Sequence, residues 1–330
     1  MIDLSVKYLG LTLKNPLIAA SSGLTGNIES IKKLESSGVA AVVLKSIFEE
    51  EILQKESLMA NEAEKDQMIY SQLSETLDYV DMHVKEDSLN TYLDLIREAK
   101  NQTLIPIFAS INCITPYEWT DFAKRIEKAG ADALELNVFL NPTDDTDKNF
   151  EDTYVEIATK VVSKVSIPVS MKISQYFTKP AKVIKQLDKT GIAGITLFNR
   201  FFTPDIDIDK MEITQASQYS SGQDYYNVLR WIALMSKKVN CDLAATTGIH
   251  SAEIVLKQLM AGAKAVQIAT VLYKEGIDFT VQLLKDLDNW MEKNNFNHLS
   301  QIQGKLSQES IKDPAAYERM QFMKYFSGIE

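Results

Sequence analysis

The sequence contains few cysteines and histidines, and it lacks long hydrophobic runs, a signal peptide and excess positive charge. Two cysteines, Cys113 and Cys241, and three scattered histidines among 330 residues give no ligand spacing typical of structural zinc, so we expect no metal site. No apolar run approaches the ~18 residues of a transmembrane helix, which predicts no membrane span. The net charge of −10 argues against a nucleic-acid-binding surface.

The first ten residues, MIDLSVKYLG, lack the basic start and the long apolar core of a secretory signal. Together with the scarcity of cysteine, this predicts a cytoplasmic protein with reduced thiols. The composition, 45% hydrophobic and 24% charged, is that of an ordinary globular protein. The length allows either one large α/β domain or two smaller ones.

A repeated pattern organises the chain. Each copy has a glycine that closes a helical segment, a short connector, and an apolar run that ends on a polar residue. The copies span residues 37–46, 129–138, 190–199 and 261–270. Glycine suits the position after a helix, where a positive φ is required, and a continuous apolar run suits a parallel strand covered on both faces. Four further runs have the same strand-like shape: 15–23, 105–112, 167–174 and 241–248.

Helical patterns lie between these strands. Residues 27–37 carry Ile28, Ile31 and Leu34 on one face, and residues 116–129 follow a Thr115 cap with proline at the first helical position. We place the other helices near 90–100, 150–165, 180–190, 225–238, 251–261 and 279–294. Eight units of strand then helix predict a (β/α)8 TIM barrel; the alternative is a doubly wound open sheet.

Two connections are too long for simple loops of a barrel, so we predict long insertions after strands 2 and 6, at residues 47–89 and 200–224. Loops of this length are often functional lids. The first insertion is either a solvated excursion or a cover over the barrel mouth. We predict a barrel domain over residues 1–309 and a C-terminal helical extension over 310–330, where Asp313 can cap a helix that begins with Pro314.

Polar or small residues end every predicted strand, where the functional site of such a barrel lies. They are Ser21, Ser22, Gly23, Lys45, Ser46, Ser110, Asn112, Asn137, Lys172, Asn199, Thr247, Gly248, Ala269 and Thr270. Apolar neighbours surround Lys45 and Lys172, and a partly desolvated ammonium needs an anionic or acceptor partner. That partner is either a carboxylate such as Glu135 or a ligand. Two lysines and two asparagines at one mouth favour a bound anionic or heteroaromatic ligand.

The last two strand ends indicate a phosphate. The loops after strands 7 and 8 of such barrels often bind phosphate through backbone N–H groups. The segment TTGI (246–249) precedes a helix that begins at Ser251, and Gly248 permits close approach of the backbone to an anion. A phosphorylated cofactor or substrate is therefore expected.

The segments NPLIAASSG, VVLKS, ALELN, VSMKIS, GITLFN, ATTGI and VQIATVLYKEG resemble the FMN-binding barrel of the dihydroorotate dehydrogenase family. The resemblance covers about residues 3–306 and is closest to the soluble, single-chain members. It implies a cytoplasmic, homodimeric flavoprotein of pyrimidine metabolism, an oxidoreductase that acts on CH–CH donors with a small-molecule substrate.

The resemblance also implies roles for the residues at the strand ends. Ser21, Ser22 and Gly23 would lie under the flavin, with Lys45 and Ser46 at its ring. Lys172 would lie at the pyrimidine edge of the ring and stabilise negative charge there. Asn137 and Asn199 would contact substrate or ring, so the implied catalytic set is Lys45, Asn137, Lys172 and Asn199. The implied phosphate-binding set is Gly222, Thr247, Gly248, Ala269 and Thr270.

The chain departs from the family mainly on the substrate side. Leu140 stands where the family has a Cys or Ser general base, and residues 57–90 contain no match to the substrate-binding asparagine segment. Thr247 replaces one of two adjacent glycines. One alternative is that the protein uses another substrate and takes its general base from elsewhere; the candidates are Cys113, Tyr176, Asp144, Asp145 and Asp147. A second alternative is a dihydroorotate dehydrogenase with an atypical base. A third alternative is a non-catalytic flavin-binding or scaffold protein, which the cost of unused buried lysines disfavours.

Overall fold

The described strands include a closed ring of eight. A computed structural model describes residues 2–50, 74–113, 118–140, 150–200 and 204–318. The strands in chain order are β1 (Val6–Tyr8), β2 (Leu11–Leu13), β3 (Leu17–Ala19), β4 (Ala41–Val43), β5 (Ile47–Phe48), β6 (Ile107–Asn112), β7 (Ala133–Asn137), β8 (Val169–Ile173), β9 (Gly194–Leu197), β10 (Pro204–Asp207), β11 (Glu212–Gln215), β12 (Asp242–Thr246) and β13 (Ala265–Ile268).

The ring runs β4-β3-β13-β12-β9-β8-β7-β6, all parallel, and the β4–β6 pairing closes it. The predicted (β/α)8 barrel is therefore confirmed, and the open-sheet alternative is wrong. The short β5 adds to the end of β6, with Phe48 opposite Asn112.

Helices cover the outside of the ring, most of them at the predicted places; Ser74–Gln102 begins well before the predicted 90–100, and Thr270–Glu275 was not predicted. The helices span Ile28–Ser36, Ser74–Gln102, Glu118–Ala129, Phe150–Val162, Pro180–Asp188, Tyr225–Met235, Ala252–Ala261, Thr270–Glu275, Phe279–Lys293 and Ala315–Glu318. Asn27 caps the first helix by accepting from the Ser30 amide at 2.9 Å. Gly262, with φ 119°, ends Ala252–Ala261 and donates its amide to the carbonyls of Gln258 and Leu259, as a glycine in this position should. The proposed Thr115 cap lies outside the described residues.

The interior of the barrel contains a buried polar group beneath the mouth. In β7 every residue is buried, and alternate side chains point inward. Glu135 and Asn137 therefore share the interior face and lie opposite Ser170 and Lys172 of β8. The Glu135 carboxylate accepts from Thr196 at 3.0 Å and from Gln267 at 2.6 Å.

The N-terminal hairpin β1–β2 closes the opposite end of the barrel. Tyr8, Leu9 and Leu13 are buried, and the Leu9 amide donates to the Asp242 carboxylate at 2.8 Å. A β-carbon on Gly194 would lie 2.5 Å from Leu9 Cδ2, so a larger residue there would force the Leu9 side chain to move. The floor is thus sealed by apolar packing, which leaves the carboxyl ends of the strands as the open face.

The long connections contain regular structure of their own. Residues 74–89, predicted as part of the first insertion, belong to the helix Ser74–Gln102; residues 51–73 lie outside the described part. The second insertion contains the hairpin β10–β11, which exposes Ile206, Ile208, Met211 and Ile213. No helix within the described ranges is long and apolar enough to cross a membrane.

The C-terminal segment packs against the barrel. The Arg230 guanidinium donates to the carbonyls of Tyr317 and Glu318 at 3.0 and 3.2 Å. The described helix Ala315–Glu318 begins just after Asp313 and Pro314, near the predicted start. The division into a domain at 1–309 and an extension at 310–330 stays a prediction.

Candidate functional site

A hydrogen-bonded chain of five side chains joins the carboxyl ends of the strands. Ser46 Oγ lies 3.1 Å from Ser21 Oγ and 2.7 Å from Ser110 Oγ. Asn137 Nδ2 donates to Ser46 Oγ at 3.3 Å, and Asn199 Nδ2 donates to Asn137 Oδ1 at 2.8 Å. The fold therefore brings together residues from five separate predicted strand ends, and it fixes the amides of both asparagines.

Tyr92 anchors this network from the outside. Its hydroxyl accepts from the Ser110 amide at 2.8 Å and donates to the Ser110 carbonyl at 3.0 Å. Burial is the main cause that raises the pKa of this phenol above its usual value, so it stays a neutral donor. Sequence reasoning missed Tyr92, because nothing in its helix signals a contact with a strand.

Lys172 is a buried cation without a protein counter-ion among the described residues. Only 8% of the residue is exposed, and it lines the cavity at the mouth. Glu135, the alternative partner, accepts instead from Thr196 and Gln267. A buried ammonium is costly unless a partner neutralises it. The expectation that Lys172 is held for a ligand rather than for an ion pair is therefore favoured.

Lys45 does not share this environment, which corrects the prediction of two desolvated lysines. The residue is exposed, although its neighbours Leu44 and Ser46 are buried. The Lys45 amide donates to the Thr25 carbonyl at 3.3 Å, and its stem passes close to Gly26. Its charge is thus solvated beside the mouth.

The cavity opens between β8, β9, β12 and β13. Its lining is mostly polar: Ser21, Lys172, Asn199, Arg200, Gln218, Ser220, Thr246, Thr247, Gly248, Ile249, Gln267, Ile268, Ala269 and Thr270. Seven of these were not among the predicted site residues, notably Arg200 and Ser220. Arg200 donates to the carbonyls of Ser217 and Gln218 at 2.7 and 2.8 Å, so it holds the insertion against the cavity wall.

The loop after β12 has a left-handed backbone at two consecutive residues. Thr247 and Gly248 both have φ of 76°. A β-carbon on Gly248 would lie 2.4 Å from the Tyr225 amide nitrogen, so glycine is obligatory there. Thr247 keeps the left-handed backbone despite its branched side chain, whose hydroxyl donates to the Phe198 carbonyl at 3.1 Å. Ser251 caps the following helix by accepting from the Ile254 amide.

Gly222 lies apart from the cavity. It is exposed, and a β-carbon there would contact nothing within 4 Å. Ser220, two residues earlier, lines the cavity instead and is 3% exposed. Its amide donates to Thr270 Oγ1 at 3.3 Å.

Ser22 and Gly23 form the turn that follows β3. A β-carbon on Gly23 would lie 2.8 Å from the Tyr273 hydroxyl.

Ser220 also contacts His250, which the sequence did not signal. Ser220 Oγ and His250 Nε2 are 3.1 Å apart, and Lys274 Nζ donates to the Ser220 carbonyl at 3.4 Å. Burial, and then the charge of Lys274, lower the pKa of His250 below its usual value. A lone histidine after a strand has no motif, and its partner is distant in the chain.

The candidate bases differ in their environment. Leu140 is partly buried and packs against the core, so the position of the family's base holds only hydrocarbon. Cys113 is 4% exposed within the core, whereas Tyr176 is 55% exposed and lines a neighbouring cavity. Asp144, Asp145 and Asp147 lie outside the described residues.

A closed parallel barrel whose mouth combines a buried lysine with two hydrogen-bonded asparagines has the architecture of the (β/α)8 barrel enzymes, whose functional sites lie at the carboxyl ends of the strands. The model of the family described as dihydroorotate dehydrogenase matches residues 3–291. The chain belongs to the dihydroorotate dehydrogenase family, and it is an oxidoreductase of the class that acts on CH–CH donors. A flavin cofactor is expected for this family.

Similar curated proteins cover nearly the whole chain. One from Thermoplasma volcanium is 26% identical over 315 residues, 92% of this chain and 98% of the relative. One from Anoxybacillus flavithermus is 28% identical over 319 residues, covering 92% and 96%, and one from Methanocaldococcus jannaschii is 24% identical over 310 residues, covering 91% and 97%. Each is named dihydroorotate dehydrogenase B (NAD(+)), catalytic subunit.

Proposed function

We propose that the protein is an FMN-dependent oxidoreductase that transfers hydride between a small anionic or amide-bearing substrate and flavin N5. The observation that carries the proposal is Lys172, a buried ammonium that lines the mouth without a carboxylate partner in the described part of the chain. A cationic side chain kept in this state is explained by a ligand that brings negative charge.

The donor set fits FMN. The cavity combines the left-handed backbone at Thr247 and Gly248 with the hydroxyls of Ser220 and Thr270, which suits a phosphate. Lys172 and Asn199 line the same cavity, at the end that would face the ring. The predicted cofactor set therefore stands as a proposal, with Ser220 added and Gly222 in a peripheral position.

Bound FMN would supply a two-electron acceptor for hydride. The protein's own residues would orient the substrate and the ring and would stabilise the charge that develops on the ring. The Lys172 ammonium would favour negative charge on the adjacent ring. Asn199 Nδ2 already donates to Asn137 Oδ1, and Asn137 Nδ2 donates to Ser46, so both amides are held before substrate arrives. Such preorganisation avoids the entropic cost of fixing them during the reaction. Lys45, exposed beside them, is proposed to contact the ring or the substrate.

The substrate is proposed to differ from that of the relatives or to be processed with another base. A leucine cannot accept a proton, and loss of a general base typically costs ~10²–10⁴ in rate. Tyr176 is accessible and lies at a cavity that shares Asn199, Arg200 and Thr247 with the main one. Cys113 is less suited because it is buried.

A second candidate is dihydroorotate oxidation itself, because the relatives carry that name. Anaerobic mixing of the FMN-loaded protein with dihydroorotate and with other dihydropyrimidines tests both candidates, because reduction bleaches the flavin. Rapid bleaching by dihydroorotate would establish the second candidate. Bleaching by another compound alone supports the first, and a protein that cannot take up FMN refutes both.

The remaining features are proposed from the resemblance and the composition. We propose that the protein is cytoplasmic and forms a homodimer. Light scattering of the purified full chain tests the oligomeric state directly. A monomer over the micromolar range would refute the oligomeric state without touching the cofactor.

A further inference from the structure

The proposed phosphate end of the cavity contains a serine–histidine pair, Ser220 and His250, in which the histidine has no role assigned above. Ser220 lines the cavity and is 3% exposed. Its hydroxyl lies 3.1 Å from His250 Nε2, and His250 itself is half-buried. His250 follows the loop Thr247–Gly248, whereas Ser220 precedes the helix Tyr225–Met235, so the pair ties the two walls of the cavity together.

The hydrogen between Ser220 Oγ and His250 Nε2 can be covalently bound to either atom, and the two cases differ in whether the Ser220 hydroxyl can donate to a ligand. If His250 Nε2 is unprotonated, it accepts the Ser220 hydroxyl, and the serine oxygen presents lone pairs to the cavity. If Nε2 is protonated, it donates to Ser220 Oγ, and the serine hydroxyl is free to donate elsewhere. Only the second arrangement lets the Ser220 hydroxyl donate to an anion in the cavity.

We propose that His250 is a positioning residue for the flavin phosphate: it donates its Nε2 proton to Ser220, which turns the Ser220 hydroxyl toward the phosphomonoester. This inference rests on the proposed FMN function and goes beyond it by assigning a specificity element. The pair discriminates FMN from riboflavin, which has the same ring and ribityl chain but no phosphate.

The charges around His250 make this arrangement depend on pH. Lys274 and Glu275 face it from the helix Thr270–Glu275, and Asp224 faces it from the turn before Tyr225. In the free protein, burial and Lys274 lower the pKa of His250. A phosphate dianion is an opposite charge that raises the pKa again, so binding takes up a proton. FMN affinity conferred by His250 therefore strengthens as pH falls through the pKa of the complex.

Two substitutions separate the hydrogen bond from the titration. His250→Gln keeps a side-chain N–H donor but has no titrating group, whereas His250→Leu removes the donor. Ser220→Ala removes the hydroxyl. The readout is the dissociation constant of FMN and of riboflavin, from flavin fluorescence quenching between pH 5.5 and 8.5. The second phosphate pKa of about 6 affects every variant equally, so the ratio of wild type to His250→Gln isolates the histidine.

We expect His250→Leu and Ser220→Ala each to weaken FMN binding about tenfold, the value of a hydrogen bond to a charged group, with riboflavin affinity unchanged. The double variant should lose no more than either single one, because both act on one hydrogen bond. His250→Gln should bind FMN within about threefold of wild type at pH 8, with a flatter pH profile.

Other results overturn the inference in distinguishable ways. Equal losses of FMN and riboflavin affinity in His250→Leu would show a structural role. Equal affinity of the wild type for FMN and riboflavin would remove the phosphate site from this cavity while leaving a flavin function intact. A wild type that binds neither would refute the proposed function and, with it, this inference.

Discussion

Lys172→Met should stabilise the free protein while it weakens the binding of FMN. Methionine replaces the stem of the lysine and removes only the charge. In the protein without cofactor, the residue Lys172 is 8% exposed and has no counter-ion in the described part of the chain. An unpaired buried ion costs several kcal/mol, and the open cavity reduces that cost, so we expect about 1–2 kcal/mol of added stability.

The same substitution should weaken FMN binding about tenfold, because it removes a charge contact with an electron-rich ring. At 100 times the wild-type dissociation constant, FMN stabilises wild type by about 2.7 kcal/mol, and a tenfold weaker complex gains only about 1.4 kcal/mol. Urea unfolding of both proteins, with and without FMN, measures all four free energies.

Lys45→Met is the matched control at the same mouth. Lys45 is exposed, so its loss should change the stability of the free protein by no more than about 0.5 kcal/mol. If Lys172→Met instead destabilises the free protein by more than about 1 kcal/mol, Lys172 serves a structural partner, and the inference from its isolation is refuted.

Three further predictions concern the loop, the base and the floor. Gly248→Ala should cost about 2–4 kcal/mol of stability from left-handed strain and collision with Tyr225, whereas Gly222→Ala, with open space around it, should stay near wild type; equal urea midpoints would contradict this. If the substrate pocket is otherwise retained, Leu140→Cys should confer or raise dihydroorotate oxidation, measured as anaerobic bleaching of the flavin. A variant that binds FMN but stays inactive would show that the pocket is not retained. Burial raises the pKa of Asp242, so the folded state binds more protons than the unfolded state and loses stability as pH rises above about 4. The free energy of unfolding of Asp242→Asn, measured in urea, should therefore rise relative to that of wild type between pH 4 and 7. A difference between the two proteins that does not change with pH would contradict this.

Local patterns in the sequence were enough to predict the barrel. The apolar runs of the eight strands and the closing glycines such as Gly262 depend on neighbours in the chain, and the structure confirms them. The alternation within β7 also follows from sequence, since Glu135 and Asn137 are two residues apart. The residues at the strand ends could therefore be predicted to lie together from local patterns alone.

What the sequence could not predict depends on distant pairs or on where an element stops. Glu135 and Gln267 are hydrogen-bonded across the barrel although 132 positions separate them. Lys45 is exposed although it lies between the buried Leu44 and Ser46, two residues beyond the end of β4. Residues 74–89 looked like a loop because their charges are mixed and their apolar face is weak, yet they continue the helix that carries Tyr92.

Closure of the ring has a consequence for how the protein folds. The first barrel strand, β3, pairs with the last, β13, joining Ile18 to Gln267, and the floor hairpin is held by Asp242. Both contacts span well over two hundred positions, and contacts of this separation form slowly. During synthesis the early strands must therefore wait, unpaired on one edge, until the last strand leaves the ribosome. An unpaired edge is prone to association, so the interval between synthesis of β3 and synthesis of β13 is a period in which the nascent chain is open to association.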